Sequence, residues 1–274
     1  MPDTDKKIIA DELVTTPIDF TVTNHRSEFK EAYRCLSKRD EDIIMQCLAT
    51  KCKYDDVCLT AVYDGVDIAI TYVRGNCNSV ITKGDGVQGE NITSCAMRIV
   101  PKLKLQIDEH DTICLKATLF LERDKLKEVS DFLKSKDCTG FTNTSSSLVK
   151  ELISLNAVGM PEVDIRISTG YDVFTDEGSM DYSESYDIFN KIFVETYTPC
   201  FSVPEAIEEI KKERATCTDN NIPIRGFTIK FGYVDFSTSK FPTHLVLTAN
   251  NTFSGIFLPL IYPEETTQCI TMNT

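Results

Sequence analysis

The sequence predicts an α+β fold in which antiparallel strands are flanked by helices. Val57, Leu59, Ala61 and Tyr63 recur at every second position, and residues 112–121 form a second apolar segment of strand length. Arg74-Gly75-Asn76 is a turn signal inside a stretch of strands. Residues 122–135 are charged and amphipathic, and Pro204–Arg214 carries proline in its first turn, so both predict helices.

Weaker patterns predict the remaining elements. Ser27 is a cap-like residue that predicts a helix over 27–33. Asp64-Gly65 is read as a further turn in a hairpin of strands over 57–105. Residues 163–174 predict a core strand, and residues 177–193 predict an acidic loop followed by a helix.

Length and composition predict a folded protein of one large domain or two small ones. The 274 residues are 42% hydrophobic and 26% charged, which suits a packed core. No run approaches the roughly 20 apolar residues of a membrane span, and the N-terminus lacks a signal-peptide core. We therefore expect a cytoplasmic or nuclear protein that does not bind membranes.

Cysteine usage and charge argue against a metal-binding protein and against one whose whole surface binds DNA. The 11 cysteines contain no CxxC pair and have no neighbouring histidines, so we expect reduced, buried thiols and no metal site. The net charge of −13 disfavours a protein whose whole surface binds DNA, because nonspecific binding depends on Lys and Arg contacts to phosphate. A local basic patch is compatible with this charge.

Lys53 and Asp55 are candidate catalytic residues. Lys53 precedes the strand at 57–63, and desolvation at the start of a buried strand can lower the pKa of a lysine and make it nucleophilic. A lysine at a strand edge is more commonly a solvated surface charge. The pattern therefore needs support from elsewhere in the chain.

A glycine-rich loop supplies that support. Lys83-Gly84-Asp85-Gly86 and Gly89-Glu90-Asn91 place three glycines within six residues. Such a loop lets backbone amides approach a ligand closely.

Together, Lys53-x-Asp55 and the loop resemble the adenylation domain of NAD-dependent DNA ligases, which has Lys-x-Asp-Gly followed by Arg-Gly-Asp-Gly-x-x-Gly-Glu. Residues 141–150, 222–230 and 255–267 resemble later motifs of the same family, in the same order. The resemblance implies a nucleotidyltransferase fold, similar to the ATP-grasp fold, with antiparallel sheets around a central cleft. It divides the chain into a flexible segment at 1–20, an adenylation domain at 21–267 and a tail at 268–274.

The resemblance also implies roles for single residues. Lys53 matches the nucleophile that becomes adenylylated, Asp55 matches the neighbouring carboxylate, and Lys230 matches a lysine that contacts phosphate. Four residues match cofactor-binding positions: Lys83, Glu90, Lys150 and, displaced by one position, Tyr171. Lys83 and Lys150 replace arginines, which keeps the charge but loses the bidentate geometry.

Several family positions carry different residues here. Asp56 replaces the glycine of Lys-x-Asp-Gly, and Thr118 replaces a glutamate that holds the ribose. Arg225 replaces an aspartate, and Ile261 stands where the last motif has a lysine. In addition, the segment between Lys53 and Lys83 is longer than the family pattern predicts.

Two functions therefore remain open. One is a DNA ligase-like protein of replication or repair, with weakened or lost nick sealing and a retained binding or scaffold role. The other is an active adenylyltransferase that forms a lysyl-AMP at Lys53, as the catalytic domain of an NAD-dependent DNA ligase. The resemblance allows NAD or AMP, and Mg²⁺, as cofactors, although the sequence by itself requires neither. We expect a nucleotide ligand, DNA bound with the help of other proteins, and a protein partner.

Overall fold

The structure is a computed structural model, and it divides the chain into two compact units. Unit 1 comprises Met1–Glu28 and Asp64–Val194, and unit 2 comprises Phe29–Tyr63 and Glu195–Thr274. The residues that the structure describes are 20–29, 32–51, 57–101, 112–160, 163–180, 185, 202–216, 221–231 and 255–262. The predicted flexible N-terminal segment, apart from residue 20, and the predicted C-terminal tail lie outside these residues.

Eleven strands and five α-helices are present in the described residues. In chain order the strands are β1 Val22–Asn24, β2 Tyr33–Arg34, β3 Val57–Tyr63, β4 Gly65–Val73, β5 Asn76–Thr82, β6 Gln88–Glu90, β7 Thr112–Phe120, β8 Arg166–Thr175, β9 Gly178–Ser179, β10 Ile224–Phe231 and β11 Ile256–Pro259. The helices are α1 Lys38–Lys51, α2 Thr93–Ala96, α3 Leu126–Ser135, α4 Ser145–Ser154 and α5 Val203–Thr216, with a 3₁₀ turn at Arg123–Lys125 before α3.

Unit 1 is built on a five-stranded antiparallel sheet in the order β5-β4-β7-β8-β9. Strand β7 is buried along nearly its whole length, as expected for a central strand. Helix α4 packs against β4 and β7 and against α3. A separate antiparallel ribbon of β1 and β6 carries the end of the glycine-rich loop.

The structure confirms one of the two predicted turns in this region. Arg74 and Gly75 have φ of 49° and 75° and connect β4 to β5, with Val73 opposite Asn76. Two positive φ values suit the right-handed twist of a two-residue hairpin. The prediction of a hairpin turn at Asp64-Gly65 is wrong, because β3 and β4 belong to different sheets.

A close backbone approach explains the glycine at position 65. A Cβ at Gly65 would lie 2.2 Å from the carbonyl oxygen of Leu119 on β7, so no side chain fits there. The preceding Asp64 accepts a hydrogen bond from the backbone N–H of Ser145 at 3.0 Å. Gly65 therefore allows close packing of β4 against β7, and Asp64 binds the first backbone N–H of α4. Neither residue forms a hairpin turn.

Unit 2 contains a four-stranded sheet in the order β2-β11-β10-β3. Strand β10 pairs antiparallel with β3 and β11, whereas β2 runs parallel to β11. The predicted helix over 27–33 is wrong, because Tyr33 and Arg34 form β2. The helix begins later, where Ser37 Oγ accepts from the backbone N–H of Asp40 at 3.1 Å and caps α1.

A buried ion pair connects the helices of unit 2. Glu41 on α1 is 3% exposed and accepts from Arg214 Nη1 and Nη2 on α5 at 2.7 and 2.6 Å. Tyr262 and Lys38 also donate to Glu41. Burial by itself raises the pKa of Glu41, but the hydrogen bonds from these three donors outweigh it and hold the pKa below 4.5.

The other predicted elements are largely confirmed. Strands β3 and β7 lie within the predicted segments, β8 overlaps the segment predicted at 163–174, and the predicted helices at 122–135 and 204–214 appear as α3 and α5. The helix predicted within 177–193 lies almost entirely outside the described residues. The fold class is confirmed at the level of a mixed α and β protein with antiparallel sheets. Among the described helices, none is long and apolar enough to cross a membrane.

The expectation of buried thiols holds for four of the cysteines whose side chains the structure describes. Cys35, Cys58, Cys95 and Cys114 are buried and form no disulfide, whereas Cys77 and Cys138 are only partly buried. Burial raises the pKa of Cys95 to about 11, so this thiol stays protonated near neutral pH. The described residues contain no group of three or more His, Cys, Asp or Glu side chains that could hold a metal ion.

Candidate functional site

The glycine-rich loop borders a cavity of about 690 Å³ in unit 1. Its walls come from four places: strand β4, the loop after β5, the ribbon of β1 and β6, and helix α4. The lining residues used below are Gly65, Val66, Asp67, Lys83, Glu90, Lys150 and Ile153. The volume lies within the range of small-molecule sites.

Internal hydrogen bonds fix the conformation of the loop. Asp85 Oδ1 accepts from the backbone N–H groups of Gln88 and Val87 at 2.8 and 2.9 Å. These two hydrogen bonds lower the pKa of the Asp85 carboxyl, and the bond from Gln88 has the larger effect. Gly84 has a φ of 55°, and a Cβ there would lie 2.0 Å from the carbonyl oxygen of Gln88. Gly84 and Asp85 therefore fix the backbone conformation of the loop. Lys83 precedes them and lines the cavity.

Backbone contacts position Lys83 and Glu90 at the cavity. The backbone N–H of Lys83 donates to the carbonyl of Asp67 at 2.8 Å, and its own carbonyl contacts His25 Nε2 at 3.0 Å. The backbone N–H of Glu90 donates to Thr82 Oγ1 at 3.0 Å. The Glu90 side chain is exposed on β6. The loop thus brings one cation and one carboxylate to the same cavity.

Helix α4 supplies another wall of the cavity. Thr144 caps the helix by accepting from the backbone N–H of Ser147 at 3.4 Å. Three of its own residues, Leu148, Val149 and Leu152, are fully buried in the core of unit 1. Lys150 is exposed and Ile153 is buried, at 3% exposure, and both line the cavity. A second cation and an apolar surface therefore lie on this wall.

A carboxylate on β4 completes the lining. Asp67 is exposed within an otherwise apolar strand. Thr118 Oγ1 on β7 donates to Asp67 Oδ1 at 2.8 Å, and the two residues are direct partners in the sheet register. Asp67 was not among the residues predicted from the sequence. The signal that could have found it is a single charge inside the apolar run of residues 65–73.

The predicted site residues are distributed as follows. Lys83, Glu90 and Lys150 line the one cavity described above. Lys230 lies on β10 of unit 2, 4% exposed and opposite Cys58. Tyr171 lies on β8, but its side chain is not described. Lys53 and Asp55 lie outside the described residues, so their predicted role stays a prediction.

Comparison with known families agrees with the motif resemblance. The family model for the NAD-dependent DNA ligase adenylation domain matches residues 38–218, more than half of the chain. The chain belongs to this family. The match includes β4, the glycine-rich loop and α4, and therefore most of the cavity wall.

The ligase relatives are distant and much longer. The DNA ligase of Clostridioides difficile is 25% identical over 175 residues, which cover 61% of this chain and 25% of the relative. The DNA ligase of Petrotoga mobilis is 23% identical over 121 residues, covering 44% of this chain and 18% of the relative. That of Campylobacter fetus is 31% identical over 68 residues, or 25% and 10% of the two chains. The chain thus matches a quarter or less of each of these ligases.

Proposed function

We propose that this chain is a nucleotide-binding, DNA ligase-like module of DNA replication or repair in which nick sealing is weakened or lost. It would adopt the nucleotidyltransferase fold of the family, with a central cleft. The cavity of unit 1 would hold the nucleotide, and the module would act by binding. The relatives match only in part, so the activity of a whole ligase is not carried over.

The placement of Asp64-Gly65 carries this proposal. The family motif is Lys-x-Asp-Gly and precedes the glycine-rich loop. Asp55 is followed by Asp56, and Asp85-Gly86 belongs to the loop itself, so Val62-Tyr63-Asp64-Gly65 is the segment before the loop that has the Asp-Gly ending. Gly65 lines the same cavity as the glycine-rich loop. This alignment also shortens the segment before Lys83, which is otherwise too long for the family. It places Val62 where the family has its nucleophile.

A valine at position 62, in place of the nucleophilic lysine, would prevent formation of a lysyl-AMP there. A lysyl-AMP requires an amine that attacks the α-phosphate, and an isopropyl side chain has no lone pair to donate. Thr118 in place of a glutamate and Arg225 in place of an aspartate also support a loss of transition-state contacts. Each lost contact in a preorganised site can cost about 3–4 kcal/mol.

The cavity can still bind a nucleotide. Lys83, Lys150 and the loop amides offer positive charge to phosphate, which fits AMP or the adenylate half of NAD. A Mg²⁺ ion would arrive with the phosphates, because the described residues contain no preformed metal cluster. Such a module would work in the cytoplasm or nucleus. The net charge of −13 favours DNA contact through a protein partner.

Intact-mass spectrometry tests the loss of adenylylation. After incubation with Mg²⁺ and either NAD or ATP, we expect no AMP increment on the unmodified chain. We also expect calorimetric titration with AMP to detect binding, with Lys53→Ala changing its affinity by less than about twofold.

One result would establish the competing function. An AMP increment on the unmodified chain that Lys53→Ala removes would identify Lys53 as the nucleophile and the protein as an active adenylyltransferase. If neither an AMP increment nor AMP binding is found, the nucleotide-binding proposal is wrong.

A further inference from the structure

The carboxylate of Asp67 has a defined chemical environment. It lines the cavity of unit 1, and the residues next to it in β4, Val66 and Ile68, are apolar. The Thr118 hydroxyl donates to Oδ1 at 2.8 Å, which fixes the orientation of the carboxylate. A carboxylate has about four acceptor positions, and this bond uses one of them. Oδ2 therefore retains full capacity to accept hydrogen bonds from a ligand.

The cavity lining carries charges of both signs, from the lysines Lys83 and Lys150 and from the carboxylates Asp67, Asp85 and Glu90. Asp67 repels phosphate, whereas Lys83 and Lys150 attract it, so the anionic end of a ligand belongs at the lysines. Neutral hydroxyl groups that donate hydrogen bonds belong at Asp67. Val66 and Ile153 line the same cavity with apolar surface, which suits the face of a base. A phosphate, a diol and a base in one molecule describe a ribonucleotide.

We propose that Asp67 binds the 2′,3′-diol of the ribose and makes the cavity selective for ribonucleotides. The resemblance to the ligases predicts a carboxylate for the ribose at position 118, which is threonine here. Asp67 is the direct register partner of Thr118 across β4 and β7, so the carboxylate has changed strands. This inference rests on the proposed nucleotide-binding function.

The test compares AMP with 2′,3′-dideoxy-AMP by isothermal titration calorimetry on the full chain. The unmodified protein is expected to bind AMP about 10- to 100-fold more tightly, as hydrogen bonds to a charged acceptor predict. Equal affinity for the two ligands overturns the inference without requiring any variant. If AMP itself does not bind, the proposed nucleotide-binding function fails as well.

Asp67→Asn isolates the charged oxygen. Asparagine keeps an amide oxygen that accepts from Thr118, so the strand pair should be retained, and circular dichroism checks this. We expect AMP affinity to fall to that of dideoxy-AMP, while dideoxy-AMP affinity changes by less than about twofold. Asp131→Asn, at an exposed position on α3 outside the cavity lining, is the matched control and should leave both affinities unchanged. An equal loss for both ligands in Asp67→Asn would contradict a role in reading the diol.

Discussion

Arg214→Ala is expected to lower the free energy of unfolding of unit 2 by about 3–5 kcal/mol. The guanidinium donates two hydrogen bonds to Glu41 and a third to the carbonyl of Pro259 at 2.8 Å. Its removal leaves a carboxylate that is only 3% exposed without its bidentate partner. Urea denaturation followed by circular dichroism measures the change.

Arg39→Ala is the matched control. Arg39 is exposed on α1, the helix that carries Glu41, so its removal should change stability by less than about 0.5 kcal/mol. A loss of stability in Arg214→Ala as small as that of the control would show that the pair contributes little.

The same pair predicts a dependence of stability on pH. The pKa of Glu41 in the folded state lies below its ordinary value of 4.5. Its contribution is therefore complete above about pH 4.5 and is lost as the pH falls through the lower folded-state pKa. We expect the stability difference between the unmodified chain and Arg214→Ala to stay constant from about pH 7 to about pH 4.5 and to shrink as the pH falls further. A difference that also stays constant below about pH 4.5 would show that Glu41 does not depend on Arg214 for its charge.

Leu152→Ala is expected to lower the free energy of unfolding of unit 1 by about 2–5 kcal/mol. Leu152 is fully buried on α4, within the core of unit 1, and the substitution removes apolar contacts and leaves a void. The same helix carries Lys150 and Ile153 into the cavity wall. A looser helix should therefore also weaken AMP binding, and calorimetric titration at a temperature below the unfolding transition measures this second effect.

Leu36→Ala is the control variant, because it removes the same atoms from an exposed leucine. Leu36 is 63% exposed, so the same truncation there should cost less than about 0.5 kcal/mol. Equal losses at positions 36 and 152 would mean that α4 is not anchored as the structure describes.

The sequence was most informative where structure depends on near neighbours in the chain. The apolar pattern of residues 112–121 and the amphipathic pattern of residues 122–135 each depend on a short window. The glycine-rich loop is likewise stabilised by contacts between Asp85 and residues two and three positions later. The motifs that place the chain in its family are local in the same way.

Other features depended on contacts with residues that are distant in the sequence and lie outside any short sequence window. Tyr33 and Arg34 form a strand because they pair with β11, more than 200 residues away, which overrides the helical pattern of residues 27–33. Asp64-Gly65 has the composition of a turn. Its position against β7 and the start of α4 gives it a different role.

The sequence by itself therefore determined the family, most of the strands and helices, and three of the cavity residues, Lys83, Glu90 and Lys150. Only the tertiary structure determined which side chains bind the carboxylates of Glu41 and Asp67. Glu41 and Arg214 are 173 residues apart, and Asp67 and Thr118 are 51 apart. The physical reason is that a buried or cavity-lining charge is stabilised by whichever donors the fold brings within hydrogen-bonding distance. Strand register and helix packing set those distances, and local periodicity does not encode them.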